Sequence, residues 1–579
     1  MEQIANSQKS KHRSLGALFL ISIVIGTLAG IFSWLFRLLI GFIHNAVFLK
    51  EVSGIYDANQ HTLASPWGWL IIFAPVLGGL IVVYLVKNFA PQAKGHGVPE
   101  VMYAIYHQQG DIPGKVSIIK ALASAITIGT GGSLGREGPI VQISAAFSSL
   151  FGKILKVTVS QRNLLIACGA GAGIAATFNA PLGGILFAIE LLLVTVNSRT
   201  ILPVAIATVI SANVGQFLIG NEPAFMIPEI LKITGSSNIY ISILAIPLGV
   251  LVGLLALLFI KSIYFSEDFF EKYFPNEYIR HVVGMLILGI MFYVILLKTN
   301  HYYVQGVGYA SMQDILYGMS KSSGFLLFLL FAKLLATNLT IGSGGSGGVF
   351  SPSLFLGAVL GALFANMTNY FFPQLDLNPL VFVVAGMAAM VSGTTSAPLT
   401  AIIMVYEMTQ DYAAILPVMT AVAVAYAVRR RLMDGDIYTL KLQRRGKLIP
   451  EGLVSDLKAN LMLKDYISSK VTFVTEEDYV NNEHDFACIV ADNGEVKSVV
   501  NLKNHYIVED LPINLLKQRD FVILSENATA LEAVSKFHKH DNHIAIICRE
   551  DKATPDTVVG VISSSYLLEL IGNVTDTLR

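Results

Sequence analysis

Residues 128–139 read IGTGGSLGREGP, and residues 341–352 read IGSGGSGGVFSP. Isoleucine, four glycines, serine and proline coincide at a constant offset of 213 residues. The same offset pairs Lys120 with Lys333. Downstream, Ala180-Pro181-Leu182, Ile185 and Glu190 match Ala397-Pro398-Leu399, Ile402 and Glu407 at an offset of 217. Upstream, Gly95-His96-Gly97 resembles Gly306-Val307-Gly308 at an offset of 211. The chain therefore holds two similar halves, at about residues 70–220 and 285–430. Duplicated halves with apolar segments interrupted at corresponding Gly and Pro positions point to a transport site between the halves. The usual version of such a duplication is inverted across the membrane.

The surroundings of the two stretches fit a membrane. Of 579 residues, 54% are hydrophobic and only 14% charged; soluble domains carry about a quarter charged residues. Long apolar stretches recur from Ser14 to Val428. Some approach the roughly 20 residues that cross a bilayer as a helix, and others fall short. The expected fold is an all-α polytopic membrane protein with two similar, inverted halves of broken and tilted helices. Residues 14–440 form that transmembrane domain. Residues 1–13 are a short basic segment, and residues 441–579 are polar enough for one small soluble α/β domain. Lys9, Lys11, His12 and Arg13 precede the first apolar stretch, and Arg429, Arg430 and Arg431 close the last. Basic flanks favour the cytoplasm, so both termini are expected there, in a multi-pass protein of the cell membrane. The first stretch lacks a small-residue cleavage signal and is expected to be retained. Formal net charge is zero, which gives no reason to expect nucleic acid. Cys168, Cys488 and Cys548 form no metal or redox motif. No metal or other cofactor is expected.

In each repeat, a glycine run leads into proline and then a resumed apolar helix. Proline loses nothing near a helix start, because its missing N–H has no partner there anyway. One helix is expected to begin near Arg136 or Glu137, the other near Val349 or Phe350. Their first N–H groups lack intrahelical partners, and in hydrocarbon each unsatisfied polar group costs several kcal/mol. A small anion satisfies them, helped by the helix dipole. The run lacks the Gly-Lys-Ser/Thr end of a P-loop. Glu137 is an expensive intramembrane carboxylate. Ionised, it can occupy an anion position and block it. Protonated, it loses that attraction. The alternative is a structural carboxylate paired with Arg136 or Lys120.

These residues carry a resemblance. Gly95 to Glu100, Gly135 to Pro139 and Gly347 to Pro352 resemble, in order, three signature segments of the CLC chloride channel and transporter family. The likeness extends through Phe178 to Leu182 and Tyr406 to Thr409, and covers about residues 15–440. It implies a homodimer with one chloride pathway per subunit and Glu137 as the gate. It implies anion binding by His96, Gly97, Arg136, Gly138, Val349, Phe350 and the Tyr438 hydroxyl.

Two positions depart from the family pattern. His96 stands where serine is common, which leaves the preferred anion open between chloride, nitrate and fluoride. Leu191 stands where many proton-coupled members carry a second glutamate. Leucine holds no proton, so this position leans toward a passive channel, with an H⁺/anion antiporter as the alternative. An organic-anion carrier is a further alternative. No catalytic set of side chains suggests an enzyme. Glu190 and Glu407 read as a shared structural pair at helix ends, and Lys120 and Lys333 as buried structural partners.

In the tail, Phe521 to Leu524, Ile544 to Ile547 and Val558 to Ile562 read as strands. Thr529 and Glu532 form a capping box ahead of Leu531, Val534 and Phe537. Residues 521–571 resemble a CBS module, with a degenerate first copy at about 460–503. Such pairs often bind adenine nucleotides. The usual ribose-contacting aspartate is replaced by Tyr566, which argues against a nucleotide and for a regulatory or dimer-contact role.

Overall fold

The computed structural model describes residues 12–220, 225, 235–319, 322–375, 377–409, 414–447, 449, 462–480, 483–502, 511–516, 518–530, 532, 533, 536, 537, 544–550, 552–564, 566 and 567. Lys9 and Lys11 of the basic N-terminal segment, and Leu531 and Val534 of the expected tail helix, lie outside these residues. Residues 1–440 and 441–579 form two compact units.

The first unit is helical. Its helices are α1 (Leu15–His44), α2 (Ala74–Phe89), α3 (Val98–His107), α4 (Lys115–Gly129), α5 (Glu137–Ile154), α6 (Val159–Phe178), α7 (Pro181–Leu191), α8 (Ser198–Ile219), α9 (Gly235–Tyr273), α10 (Glu277–Thr299), α11 (Tyr309–Leu316), α12 (Ser323–Gly342), α13 (Phe350–Phe371), α14 (Pro379–Thr395), α15 (Pro398–Thr409) and α16 (Ile415–Leu432). Among the described residues, seven helical segments are long and apolar enough to cross a membrane. Others, such as α7 with 11 residues and α15 with 12, are not.

Helix starts differ in a way that locates the site. Ser14, Thr158, Asn197, Asn276 and Asn378 cap α1, α6, α8, α10 and α14 with their side chains, the usual use of these residue types. The helices α2, α3, α4, α5, α7, α11, α12, α13 and α16 begin with no such hydrogen bond from the N-cap side chain. Of these, α3, α5, α11 and α13 start on a buried residue, Val98, Glu137, Tyr309 and Phe350.

Close packing holds these starts. Residues Leu380 to Thr395 of α14 are all buried, as expected for a helix apolar all round. A Cβ on Gly357 of α13 would lie 2.3 Å from the Gly386 carbonyl oxygen of α14, and one on Gly386 would lie 2.3 Å from that of Gly357. The two helices touch backbone to backbone.

The halves meet reciprocally. Gly135 N–H donates to the Gly348 carbonyl at 2.8 Å, and Gly348 N–H to the Gly135 carbonyl at 2.7 Å. Ser133 N–H donates to Thr340 Oγ1 at 3.2 Å and its hydroxyl to the Val304 carbonyl at 2.7 Å. Ser346 repeats this toward Thr127 Oγ1 at 3.3 Å and the Ala93 carbonyl at 2.8 Å. Each half thus supplies the other's partners, which requires a pseudo-two-fold axis between them.

The tail unit holds β1 (Val471–Val474), β2 (Tyr479–Val480), β3 (Phe486–Val490), β4 (Val496–Asn501), β5 (Leu511–Pro512), β6 (Val522–Ser525), β7 (Ile544–Cys548) and β8 (Val558–Ser563). Two three-stranded sheets share one plan: β1 is parallel to β3 and β3 antiparallel to β4, while β6 is parallel to β7 and β7 antiparallel to β8. Glu532 N–H donates to Thr529 Oγ1 at 3.3 Å, the first half of the expected capping box. Cys488 and Cys548 share an apolar cluster between the sheets, and burial pushes the Cys488 thiol up to about 12 and that of Cys548 to about 11.

Candidate functional site

The buried uncapped helix starts converge. Gly97 precedes α3 with φ at +91°, a conformation open to glycine and costly for a residue with a Cβ. A Cβ there would lie 2.7 Å from the Gly138 carbonyl oxygen. A Cβ on Gly138 would lie 2.1 Å from the His96 carbonyl oxygen and 3.0 Å from Gly348 Cα. The α3, α5 and α13 starts are therefore packed together through bare backbone. His96, Gly97, Arg136, Glu137, Gly138, Val349 and Phe350 gather at this one place, with Arg136 and Val349 as the N-caps of α5 and α13. The first-turn N–H groups of the two helices have no intrahelical partners, so the backbone itself makes the region electropositive.

Glu137 lies at the centre and is 1% exposed. Its Oε1 accepts from the Tyr309 hydroxyl at 2.6 Å and from the Ser351 hydroxyl at 2.5 Å. The two hydroxyl oxygens are 3.2 Å apart. Its buried Oε2 makes no hydrogen bond among the described residues and lies over Gly135, where a Cβ would come within 2.1 Å of it. Tyr309 is held in turn. The Arg136 guanidinium lies 5.3 Å from its ring centre, and Phe225 packs edge-on at 4.9 Å.

Tyr438 is 2% exposed, and its N–H donates to Asp436 Oδ1 at 2.7 Å. Tyr264 of α9 bridges toward His96. Its hydroxyl donates to the Ile437 carbonyl at 2.6 Å, and its ring stands edge-on to the His96 ring, 6.4 Å between centres.

A cavity of about 590 Å³ opens beside Tyr309. Arg37, Asp57, Arg136, Asn179, Gln216 and Gln313 line it. This is a polar, cationic approach to the helix starts.

The repeat-related lysines and glutamates hold the frame. Lys120 Nζ donates to the Ala93 and Gly95 carbonyls at 3.0 and 2.6 Å, and Lys333 Nζ to those of Val304 and Gly306 at 3.3 and 3.1 Å. The Glu407 carboxylate accepts from Leu182 and Gly183 N–H at 2.9 and 2.7 Å, and that of Glu190 from Leu399 and Thr400 N–H at the same distances. Glu190 also accepts from the Thr400 hydroxyl at 2.6 Å.

Sequence reasoning passed over Arg37, Tyr309, Ser351 and Tyr264. Arg37 carried a usable signal, since an arginine inside an apolar stretch is costly without a role. Tyr309 directly follows the Gly306-Val307-Gly308 repeat and Ser351 lies within the second signature segment. Neither hydroxyl is marked by spacing alone.

Residues 78–430 match the family model described as voltage gated chloride channel. The chain is similar to an H⁺/Cl⁻ exchange transporter of Vibrio parahaemolyticus, with 31% identity over 74% of this chain and 90% of that one. It is similar in structure to a slow cyanobacterial Cl⁻/H⁺ antiporter, with TM-score 0.64, 26% identity, and coverage of 75% of this chain and 99% of that one. A eukaryotic CLC transporter shares the fold over 95% of this chain and 97% of its own, with TM-score 0.63 and 18% identity.

Proposed function

The chain belongs to the voltage gated chloride channel family and is a multi-pass membrane protein that moves anions, and from that premise we propose that it exchanges chloride for protons, with Glu137 as gate and proton carrier. The observation that carries this reading is the position of the Glu137 carboxylate, buried where the uncapped starts of α5 and α13 meet.

Ionised, Glu137 brings negative charge to the helix starts and accepts from the Tyr309 and Ser351 hydroxyls. Protonation removes its charge and the attraction that holds it. Chloride then takes its place at the N–H groups near Glu137, Gly138, Val349 and Phe350. Arg136 adds positive potential on the cavity side. His96, Gly97 and Tyr438 complete the lining. Neutral dipoles supply most of the attraction, so binding is weak enough for release.

The lean toward a passive channel drawn from Leu191 is not supported by the relatives, which are described as an exchange transporter and an antiporter. Exchange replaces it. Leu191 holds no proton, and both Glu190 oxygens are engaged at the start of α15. The inner part of the proton's route is accordingly assigned to water.

The same reading makes the protein a homodimer in the cell membrane with both termini cytoplasmic and a CBS-like regulatory tail. Leu182 and Leu399, repeat-equivalent and 51% and 54% exposed, offer an apolar face that a second copy or lipid can cover.

Reversal potential in a proton gradient, with chloride equal on both sides, tests the exchange. A shift from zero supports it, and none means a channel. The Glu137→Gln variant is expected to retain anion flux and lose most of its pH dependence. Unchanged gating would make Glu137 a structural carboxylate.

A further inference from the structure

The family resemblance gives no role to Tyr309 or Ser351, yet both converge on one oxygen of Glu137 from other elements of the chain. Tyr309 opens α11 and Ser351 lies in the first turn of α13. We propose that the two hydroxyls form a latch that holds the Glu137 carboxylate in the pathway and sets the pH at which it lets go. This rests on the reading of Glu137 as gate.

The argument is one of donor count and placement. A carboxylate oxygen accepting two short hydroxyl hydrogen bonds is stabilised in its ionised form. The Tyr309 ring packs against both Arg136 and Phe225, which limits the freedom its hydroxyl has to lose. Ser351 Oγ lies 3.2 Å from the Tyr309 oxygen, so the two donors can also bond each other after the carboxylate leaves. Both latch states then leave few buried hydroxyls unpaired. The titratable and charged groups facing Glu137 are Tyr309 on α11, Lys333 on α12, Tyr438 after α16 and Arg136 at its own helix start, with His96 packed on the adjoining Gly138. Phenylalanine at 309 or alanine at 351 changes none of the other charges.

The sign follows. Removing one donor weakens the hold on the carboxylate, so the pathway opens at higher pH. For the full chain in liposomes, Tyr309→Phe and Ser351→Ala should each raise the midpoint of the flux–pH profile by about one unit. Ser351→Thr keeps a hydroxyl and should stay near the wild-type midpoint. In the Glu137→Gln background neither change should alter the profile. If Glu137→Gln alone keeps the wild-type pH dependence, the gate reading fails. If Glu137→Gln is flat while Tyr309→Phe and Ser351→Ala keep the wild-type midpoint, the latch alone is overturned. Ser351→Ala is small enough to decide the matter should the tyrosine variant misfold.

Discussion

Gly135 and Gly348, equivalent residues of the two repeats, hydrogen-bond to each other in both directions, at 2.8 and 2.7 Å. A residue can pair with its own counterpart in this way only beside a two-fold axis. That axis runs through the place where α5 and α13 begin. The duplication is therefore what builds the site. Each half supplies one of these two helix starts, and symmetry turns the two toward each other.

The glycines at this meeting point leave no slack. A Cβ on Gly138 would meet the His96 carbonyl oxygen at 2.1 Å and Gly348 Cα at 3.0 Å. Both neighbours are backbone, so neither can swing aside. Overpacking of this kind costs about 1–3 kcal/mol. Gly138→Ala is expected to cut chloride flux by about tenfold or more while the protein still reaches the membrane. Flux within twofold of wild type would mean that the three helix starts are less tightly joined.

Glu190 and Glu407 lie near the ends of α7 and α15 and cap each other's helices. Glu407 takes the N–H groups of Leu182 and Gly183, and Glu190 those of Leu399 and Thr400. A glutamine keeps one acceptor oxygen and turns its NH₂ toward an N–H donor. Hydrogen bonds to a charged group contribute about 1.5–3 kcal/mol, so Glu190→Gln and Glu407→Gln should each lower unfolding stability by a similar amount. Proton coupling in Glu190→Gln should stay near wild type. Loss of coupling at unchanged stability would instead make Glu190 the inner proton station.

Much of this was legible in the chain. The interrupted helices announced themselves, because glycine and proline mark a helix start by their own backbone chemistry. The Glu190–Glu407 pairing was visible through the repeat, although the amides they cap were not. Tyr309 and Ser351 stayed hidden for a physical reason. They lie 172 and 214 residues from Glu137, and a lone hydroxyl has no periodicity or spacing to betray it. Leu191 cannot hold a proton, but that alone does not decide for a channel, since water can carry a proton where no side chain does. Arg37 was readable in principle, as a cation in an otherwise apolar helix.

Arg37 and Asp57 line one cavity with Arg136, and they allow a test with opposite signs. A unit charge at the wall of an open, solvated cavity acts on an anion inside it by about 0.5–1 kcal/mol. That is about a two- to fivefold change in local anion concentration. Arg37→Gln should lower flux by about that factor at low chloride and low ionic strength, and Asp57→Asn should raise it. Screening shortens the reach of both charges, so the two variants should converge on wild type as an inert salt is added. Saturating chloride should mask both effects, because a filled site gains nothing from steering. Changes of the same sign in the two variants, or changes that persist at high salt, would show that the pair acts through packing of α1 rather than through the field in the cavity.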